Sequence, residues 1–519
     1  MPVGNFLRRS ADKFPEKPAL LTADARLTYR ELNARVNQLA NALLGKGLRK
    51  GDRVAVLLHN STQFIELYFA CAKSGGIFVP VNNLLKEKEL RQILDYIEPR
   101  FLVTEPDFEN GIQGLAAHIP SLQSLWSLRK DPGGPFAPYE ALIQGGAANE
   151  PEVTVTDDDT MSIFLTSGTT GLPKGAMRSH RQDVLNAVTG AIEMKLDYND
   201  RAVILFPLYH VTFEDQLRYF LMGNTVYIRK EGAFDPREVL EILERERITI
   251  CQFVPTMVSA MLQEKDIEKY DLSHLRLIPY AAAPMPVELL KRAMTRFKCG
   301  FAQFYGQTET GPLTTLLRPE DHILDGTPEQ LARLASSGRA VLDYEVRIVD
   351  EGGKDVPPGQ VGEIIVRSEA AMDGYWNLPE ETAKTIRDGW IHTGDFGRYD
   401  DERFVYIVDR KNDMIISGGK NIYPRELEEV IYTHPAVLDV AVIGVPDDYW
   451  GESVRAVVVL KEGMSATEEE IIALCKENLA SYKKPKSVEF REELPRTTTG
   501  KIRKKDIREE FWKDKDRRV

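Results

Sequence analysis

From about Asp52 to Phe304, short apolar runs alternate with longer amphipathic ones, and this rhythm constrains the fold of the 519-residue chain more than any other feature. "RVAVLL", "GIFVPV" and "RFLVT" have the length and β-branched content of strands, with helical stretches such as "TQFIELYFACAK" between them. The rhythm resumes at "SIFLT", then "AVILF", "TVYIR", "ITICQF" and "LRLIP", separated by helices such as "DPREVLEILERER" and "PVELLKRAMTRF". Nearly unbroken apolar strands must be covered on both faces, which predicts largely parallel sheets flanked by helices. The two series predict two such layers. A chain of this length also exceeds one hydrophobic core, so two or more domains are expected.

After Gly338 the period shortens. "YEVRIVD", "VGEIIVRS" and "RFVYIVD" alternate every second residue between the turn-rich "EGGKDVPPGQ" and "YDDER", as an antiparallel β unit would. From Arg410 the pattern changes again. A helix ("PRELEEVIYTH"), two strands ("VLDVAVIG", "VRAVVVL"), a helix ("ATEEEIIALCKENLA") and a strand ("SVEF") predict a small α+β unit with a basic end. The expected fold class is therefore α/β: a large N-terminal domain over residues 1–411, with two layered α/β sheets and a small antiparallel β unit from about 336, then a mobile α+β domain over 412–519.

The net charge of −12 argues against nucleic acid as the main partner, because phosphate backbones want a basic face. Cys71, Cys251, Cys299 and Cys475 are far apart and form no CxxC pair, as reduced thiols in a reducing compartment would. "MPVGNFLRRSADKFPEK" has no apolar signal-peptide core, and no run approaches the roughly 18 apolar residues of a membrane span. A cytoplasmic, soluble enzyme is the expectation, with no transmembrane segment; a homodimer stays open.

The stretch "IFLTSGTTGLPKGAM", Ile163 to Met177, runs an apolar strand into a loop of hydroxyls and glycines followed by a lysine. Small residues after a strand let backbone N–H groups approach a phosphate, and hydroxyls and a lysine add donors. The spacing is not that of a Walker A loop: Pro173 stands where its second glycine is required, and Gly175 where Ser or Thr should follow Lys174. A kinase GxGxxG loop fails as well. On the residues alone, phosphate binding and a plain surface turn are about equally supported.

Other segments decide between them. "PLYH" (Pro207–His210), "YGQTET" (Tyr305–Thr310), "GYW" (Gly374–Trp376), "HTGD" (His392–Asp395), "VDRKNDMIISGGKNIYPRELE" (Val408–Glu428) and "LPRTTTGKIRK" (Leu494–Lys504) follow "TSGTTGLPKGA" in order. Together they resemble the motifs of the adenylate-forming superfamily of acyl-CoA synthetases, firefly luciferase and nonribosomal-peptide adenylation domains, over roughly Leu27 to Arg508. The resemblance implies a two-step reaction: a carboxylate attacks the α-phosphate of ATP to give acyl-AMP and pyrophosphate, and a thiol then displaces AMP. Positioning and compensation of negative charge are the protein's main contributions to such chemistry.

The resemblance assigns roles residue by residue. Thr166, Ser167, Gly168, Thr169, Thr170, Gly171 and Lys174 would wrap the β- and γ-phosphates. Glu309, with Thr166, would ligate Mg²⁺, a hard cation that keeps carboxylate and phosphate oxygens. Tyr305 would stack on adenine, with Ala282, Gly306 and Thr308 completing the nucleotide site, while Asp395 and Arg410 would hold the ribose. Lys501 would bridge the substrate carboxylate and the α-phosphate. It lies about two hundred residues from Tyr305 in the other expected domain, so domain movement is implied. The hinge position falls on Asn412, where relatives more usually carry Asp or Lys. Gly418 and Gly419 would flank the pantetheine channel, and His210 would lie by the carboxylate and the thiol entry.

Tyr209-His210 stands where amino-acid-activating relatives carry "FD", which argues against an α-amino acid. No carrier-domain serine motif follows, so free coenzyme A is the expected thiol. Ala281, Ala282 and Ala283 leave room beside the nucleotide. Glu214 and Asp215 are expected to face the surface or to pair with Arg218, with recognition of a polar or carnitine-like acid as the sharper alternative. A medium- or long-chain fatty acid is the first expectation and a coumarate-like aromatic acid the next. An acyl-AMP ligase loading a separate carrier protein, a regulatory nucleotide binder without catalysis and a luciferase-type oxygenase are the competing classes. A mere binder would not need both Lys501 and Glu309.

Overall fold

In a computed structural model, residues 1–166, 173–283, 285–410, 413–497 and 501–513 are described. An eight-stranded sheet is built around Arg53–Leu57, flanked by Ile77–Pro80 and Phe101–Thr104, all parallel. A nine-stranded sheet carries Thr225–Ile228, Arg201–Ile204, Ile250–Cys251, Leu277–Tyr280 and Gly300–Gln307 as parallel neighbours in that order. The two expected layers are present, with one redistribution. The "SIFLT" strand, Thr160–Thr166, joins the first sheet beside Ile77–Pro80, and the second sheet instead recruits Pro18–Leu21. An apolar run says that a strand is buried but not which sheet buries it; long-range pairing makes that choice.

Helices fill the space between the sheets and cover both outer faces. Thr62–Ser74 shows why the middle layer reads as it does: apart from Gln63, every residue in it is buried. A helix sandwiched between sheets has no solvent face and so loses the usual polar stripe. Its ends are set locally. Ser61 accepts a hydrogen bond from the Phe64 N–H, and Gly75 closes the helix at φ 78°. Its two charged residues are neutralised in place, Glu66 by Arg35 at 2.6 Å and Lys73 by Glu150 at 2.8 Å. Pro236–Arg245, Pro255–Gln263 and Val287–Phe297 pack on the outer face of the second sheet.

Glu345–Val349, Gly362–Arg367, Trp390–Tyr399 and Val405–Arg410 form the antiparallel unit that the alternating period predicts. Beyond Arg410, long paired strands Val437–Asp447 and Gly451–Leu460 carry helices Pro424–Ile431, Glu468–Asn478 and Lys504–Trp512, with their own buried cores. Among the described residues no helix is long and apolar enough to cross a membrane.

Candidate active site

In open parallel sheets, ligands bind beyond the carboxyl ends of the strands. In the second sheet those ends lead into Leu205–His210, Gln252, Ala281–Ala283 and Gly306–Glu309, and they open on a cavity of about 1170 Å³. His210, Ala282, Tyr305, Glu309 and Asp395 line it from one side and Lys501, from beyond Arg410, from the other. Thr166, Lys174, Gly306, Thr308 and Arg410 also reach it.

The corner around Asp395 is tightly organised. Asp395 and Arg410 are paired across adjacent strands, with the Arg410 Nε 3.3 Å from Asp395 Oδ1. The Tyr305 hydroxyl donates to Asp395 Oδ2 at 2.9 Å, and Gln307 Nε2 donates to the same oxygen at 2.7 Å and to the Thr393 carbonyl at 3.1 Å. Burial, then the Asp395 charge, push the Tyr305 phenol well above its ordinary value, so it remains a donor. Gly306 must be glycine: a Cβ would stand 2.3 Å from the Gly311 carbonyl oxygen. Ala282 adopts φ 70°, a left-handed conformation costly for a residue with a Cβ, at the turn where the chain leaves Leu277–Tyr280.

A second corner holds the groups expected for phosphate and metal. Thr166 and Lys174 are cross-strand partners, so the two ends of the hydroxyl-rich loop meet at the cavity. Ser167, Gly168, Thr169, Thr170 and Gly171 lie outside the described residues, as does Asn412. Lys174 Nζ is 2.5 Å from Glu381 Oε2 and 5.0 Å from the Tyr375 ring centroid. The Tyr375 hydroxyl in turn donates to Glu309 Oε1 at 2.7 Å. Among the described residues no cluster of three or more His, Cys, Asp or Glu could hold a metal by itself. One carboxylate beside a phosphate site nevertheless suits Mg²⁺, which takes one or two protein carboxylates and completes its shell with phosphate oxygens and water.

The Thr497 N–H donates to the Lys501 carbonyl at 2.7 Å, and Arg496 and Ile502 form an antiparallel bridge beside it. Burial, then the Arg410 charge, bring its ammonium down to about 8, while Asp395 and Asp413 oppose the shift. His210 is pushed down to about 4 by burial, so its imidazole is neutral near pH 7.

Gly418 and Gly419 do not line the cavity. They turn the chain between Ile415–Ser417 and Lys420–Ile422 at φ 57° and 76°, and a Cβ on Gly418 would strike the Trp450 ring at 2.5 Å. Glu214 and Asp215 are not at the surface: they are 0 % and 3 % exposed. Asp215 pairs with Arg218, whereas Glu214 takes the fully buried Arg178 at 3.0 Å, a partner 36 positions away that local spacing could not indicate. Sequence reasoning also missed Gln303, Gln307, Tyr375 and Glu381. Gln303 carried a usable signal, since it shares the Tyr305 face of Gly300–Gln307 by period two, and it is buried against the cavity.

A nucleotide-sized cleft at the strand ends, with an acid–arginine corner and a lysine supplied by a separate unit, defines a protein that handles an adenylate. The chain belongs to the AMP-binding enzyme family, whose model matches residues 7–376; the AMP-binding enzyme C-terminal domain matches residues 426–501. Feruloyl-CoA synthase of Amycolatopsis sp is 38% identical over 98% of this chain and 99% of its own length. Long-chain-fatty-acid–CoA ligase FadD13 of Mycobacterium tuberculosis is 35% identical over 98% of each. The anthranilate CoA ligase AuaEII, solved in complex with anthranoyl-AMP, superimposes with a TM-score of 0.91 at 30% identity, covering 98% of this chain and 97% of its own. The protein is an AMP-forming acid–thiol ligase, with ATP, a carboxylate and coenzyme A as substrates.

Proposed function

We propose that the protein joins a carboxylic acid to coenzyme A through an acyl-AMP intermediate, with Lys501 delivering the charge that lets carboxylate and α-phosphate meet. One observation carries this role: Lys501 lines the same cavity as Asp395 and Arg410, close enough to feel both charges. A compact cation suits a transition state in which two anions approach. Tyr305 would stack on the adenine, Gln303 offer its amide to the base edge, and Asp395 with Arg410 hold the ribose. Lys174 would exchange Glu381 for the β- and γ-phosphates. Mg²⁺ would bind Glu309, with Thr166 beside it, and supply charge neutralisation to the triphosphate. Neutral His210 would border the acyl compartment and the thiol entry. Rotation about Asn412 would then withdraw Lys501 and admit the thiol, with Gly418 and Gly419 brought to the channel by that movement.

Both a fatty acid and an aromatic acid have named counterparts among the relatives, and one relative is named as a ligase that loads an acyl-carrier protein. The role of Lys501 is tested by Lys501→Ala, assayed for acid-dependent ATP–pyrophosphate exchange and, separately, for thioester formation from supplied acyl-AMP. Exchange should be lost and thioester formation kept. Equal loss of both would contradict the assignment.

A further inference from the structure

Five residues beyond His210 the chain presents a buried charge to the cavity. Val211–Gln216 is a 3₁₀-helix, in which side chains three apart eclipse one another. Val211, Thr212 and Asp215 line the cavity, while the Glu214 carboxylate is taken by Arg178. Asp215 is 3 % exposed and its partner Arg218 only 2 %. Arg218 also donates to the Asp215 carbonyl, and its guanidinium lies 5.5 Å from the Phe304 ring centroid. Gln252, at the carboxyl end of Ile250–Cys251, hydrogen-bonds the same carboxylate. The pair is thus held by backbone and side-chain hydrogen bonds, by an aromatic face and by a neighbouring strand end.

We propose that Asp215 and Arg218 close the far end of the acyl compartment, and that the acid is compact and carries a neutral hydroxyl or amino donor opposite its carboxylate. This rests on the ligase reading above and names the class of acid that the ligase takes. At a rise of about 2 Å per residue, Asp215 lies roughly 8 Å along the helix from Val211, the residue that follows His210, a span that suits a ring acid or a short chain. A long alkyl chain would press methylenes against a buried ion pair and displace its hydrogen bonds at a cost. A carboxylate has about four lone-pair positions, enough to accept from a ligand besides Arg218 and Gln252. Because Arg218 neutralises Asp215, the end wall offers no net negative charge to a quaternary ammonium, which disfavours a carnitine-like acid.

The test uses the full-length protein and AMP release with coenzyme A. Cinnamate is compared with para-hydroxycinnamate and octanoate with ω-hydroxyoctanoate, alongside palmitate. The hydroxylated member of at least one pair should show kcat/KM about tenfold higher or more, with palmitate the poorest acid. In the double variant Asp215→Leu/Arg218→Met, which strands no charge, that preference should vanish or reverse. Equal or better turnover of the unsubstituted member in both pairs, or palmitate as the best acid, would overturn the proposal and leave the ligase standing. Absence of AMP release with every acid would overturn both.

Discussion

Lys501 and Lys504 sit three residues apart in the same basic segment and both border the cavity, yet the groups around them shift their proton affinities in opposite directions. Lys504 begins the helix Lys504–Trp512 and places its ammonium 2.7 Å from Glu428 Oε1, with Asp409 and Asp413 nearby. Those carboxylates overcome the burial penalty and raise its proton affinity. Lys501 faces the cavity, where burial and the Arg410 charge outweigh Asp395 and Asp413 and bring it down to about 8. A lysine with its charge satisfied inside the chain holds structure together. One left in an unfavourable field gains most when an anion arrives, which is what a carboxylate and a phosphate would supply.

Four substitutions break or sharpen this contrast. Lys501→Ala should lower the adenylation rate by about 10²- to 10³-fold, the scale of losing a pre-aimed electrostatic contact, with little change in melting temperature. Glu309→Gln should lower adenylation about tenfold and raise the Mg²⁺ concentration needed for half-maximal exchange; an unchanged metal titration would remove Glu309 from the site. Tyr305→Phe deletes the hydrogen bond to Asp395 at 2.9 Å. A loss of about 1 kcal/mol there, roughly fivefold in KM for ATP, is expected at unchanged Mg²⁺ dependence. Lys504→Ala should have the smallest effect on the adenylation rate per folded molecule. It should instead cost about 1–3 kcal/mol in urea unfolding by leaving Glu428 and Asp409 unpaired. If Lys504→Ala abolished adenylation while leaving stability intact, the two lysines would have to exchange roles.

The same contrast shows where sequence reasoning reached and where it stopped. The glycine-lysine motif singled out Lys501, and the ordered motifs named Tyr305, Glu309, Asp395 and Arg410, all of which border one cavity. Local periodicity likewise indicated the sheets, because a strand buried on both faces shows it in its own residues. Partners made over long distance left no such trace. Nothing near Glu381 announces Lys174, 207 positions away, and nothing near Glu214 announces Arg178. The placement of Thr160–Thr166 in the first sheet was hidden for the same reason. Gly418 and Gly419 are a different case: their motif was legible, but in the arrangement seen here they turn a hairpin beneath Trp450 away from the cavity.

The claim that Lys501 acts as a cation in the first step has a direct pH signature. Its ammonium form persists below about 8 and is lost above it, so acid-dependent pyrophosphate exchange should fall as pH rises through that value. His210, brought down to about 4, is already neutral across this window and contributes no limb there. The decisive measurement is the pH profile of kcat/KM for ATP in that exchange, for the native protein and for Lys501→Arg. A basic limb near 8 that disappears from the accessible range in the arginine variant, whose guanidinium stays charged, is the predicted result. A limb that stays at the same pH in both proteins would contradict the account.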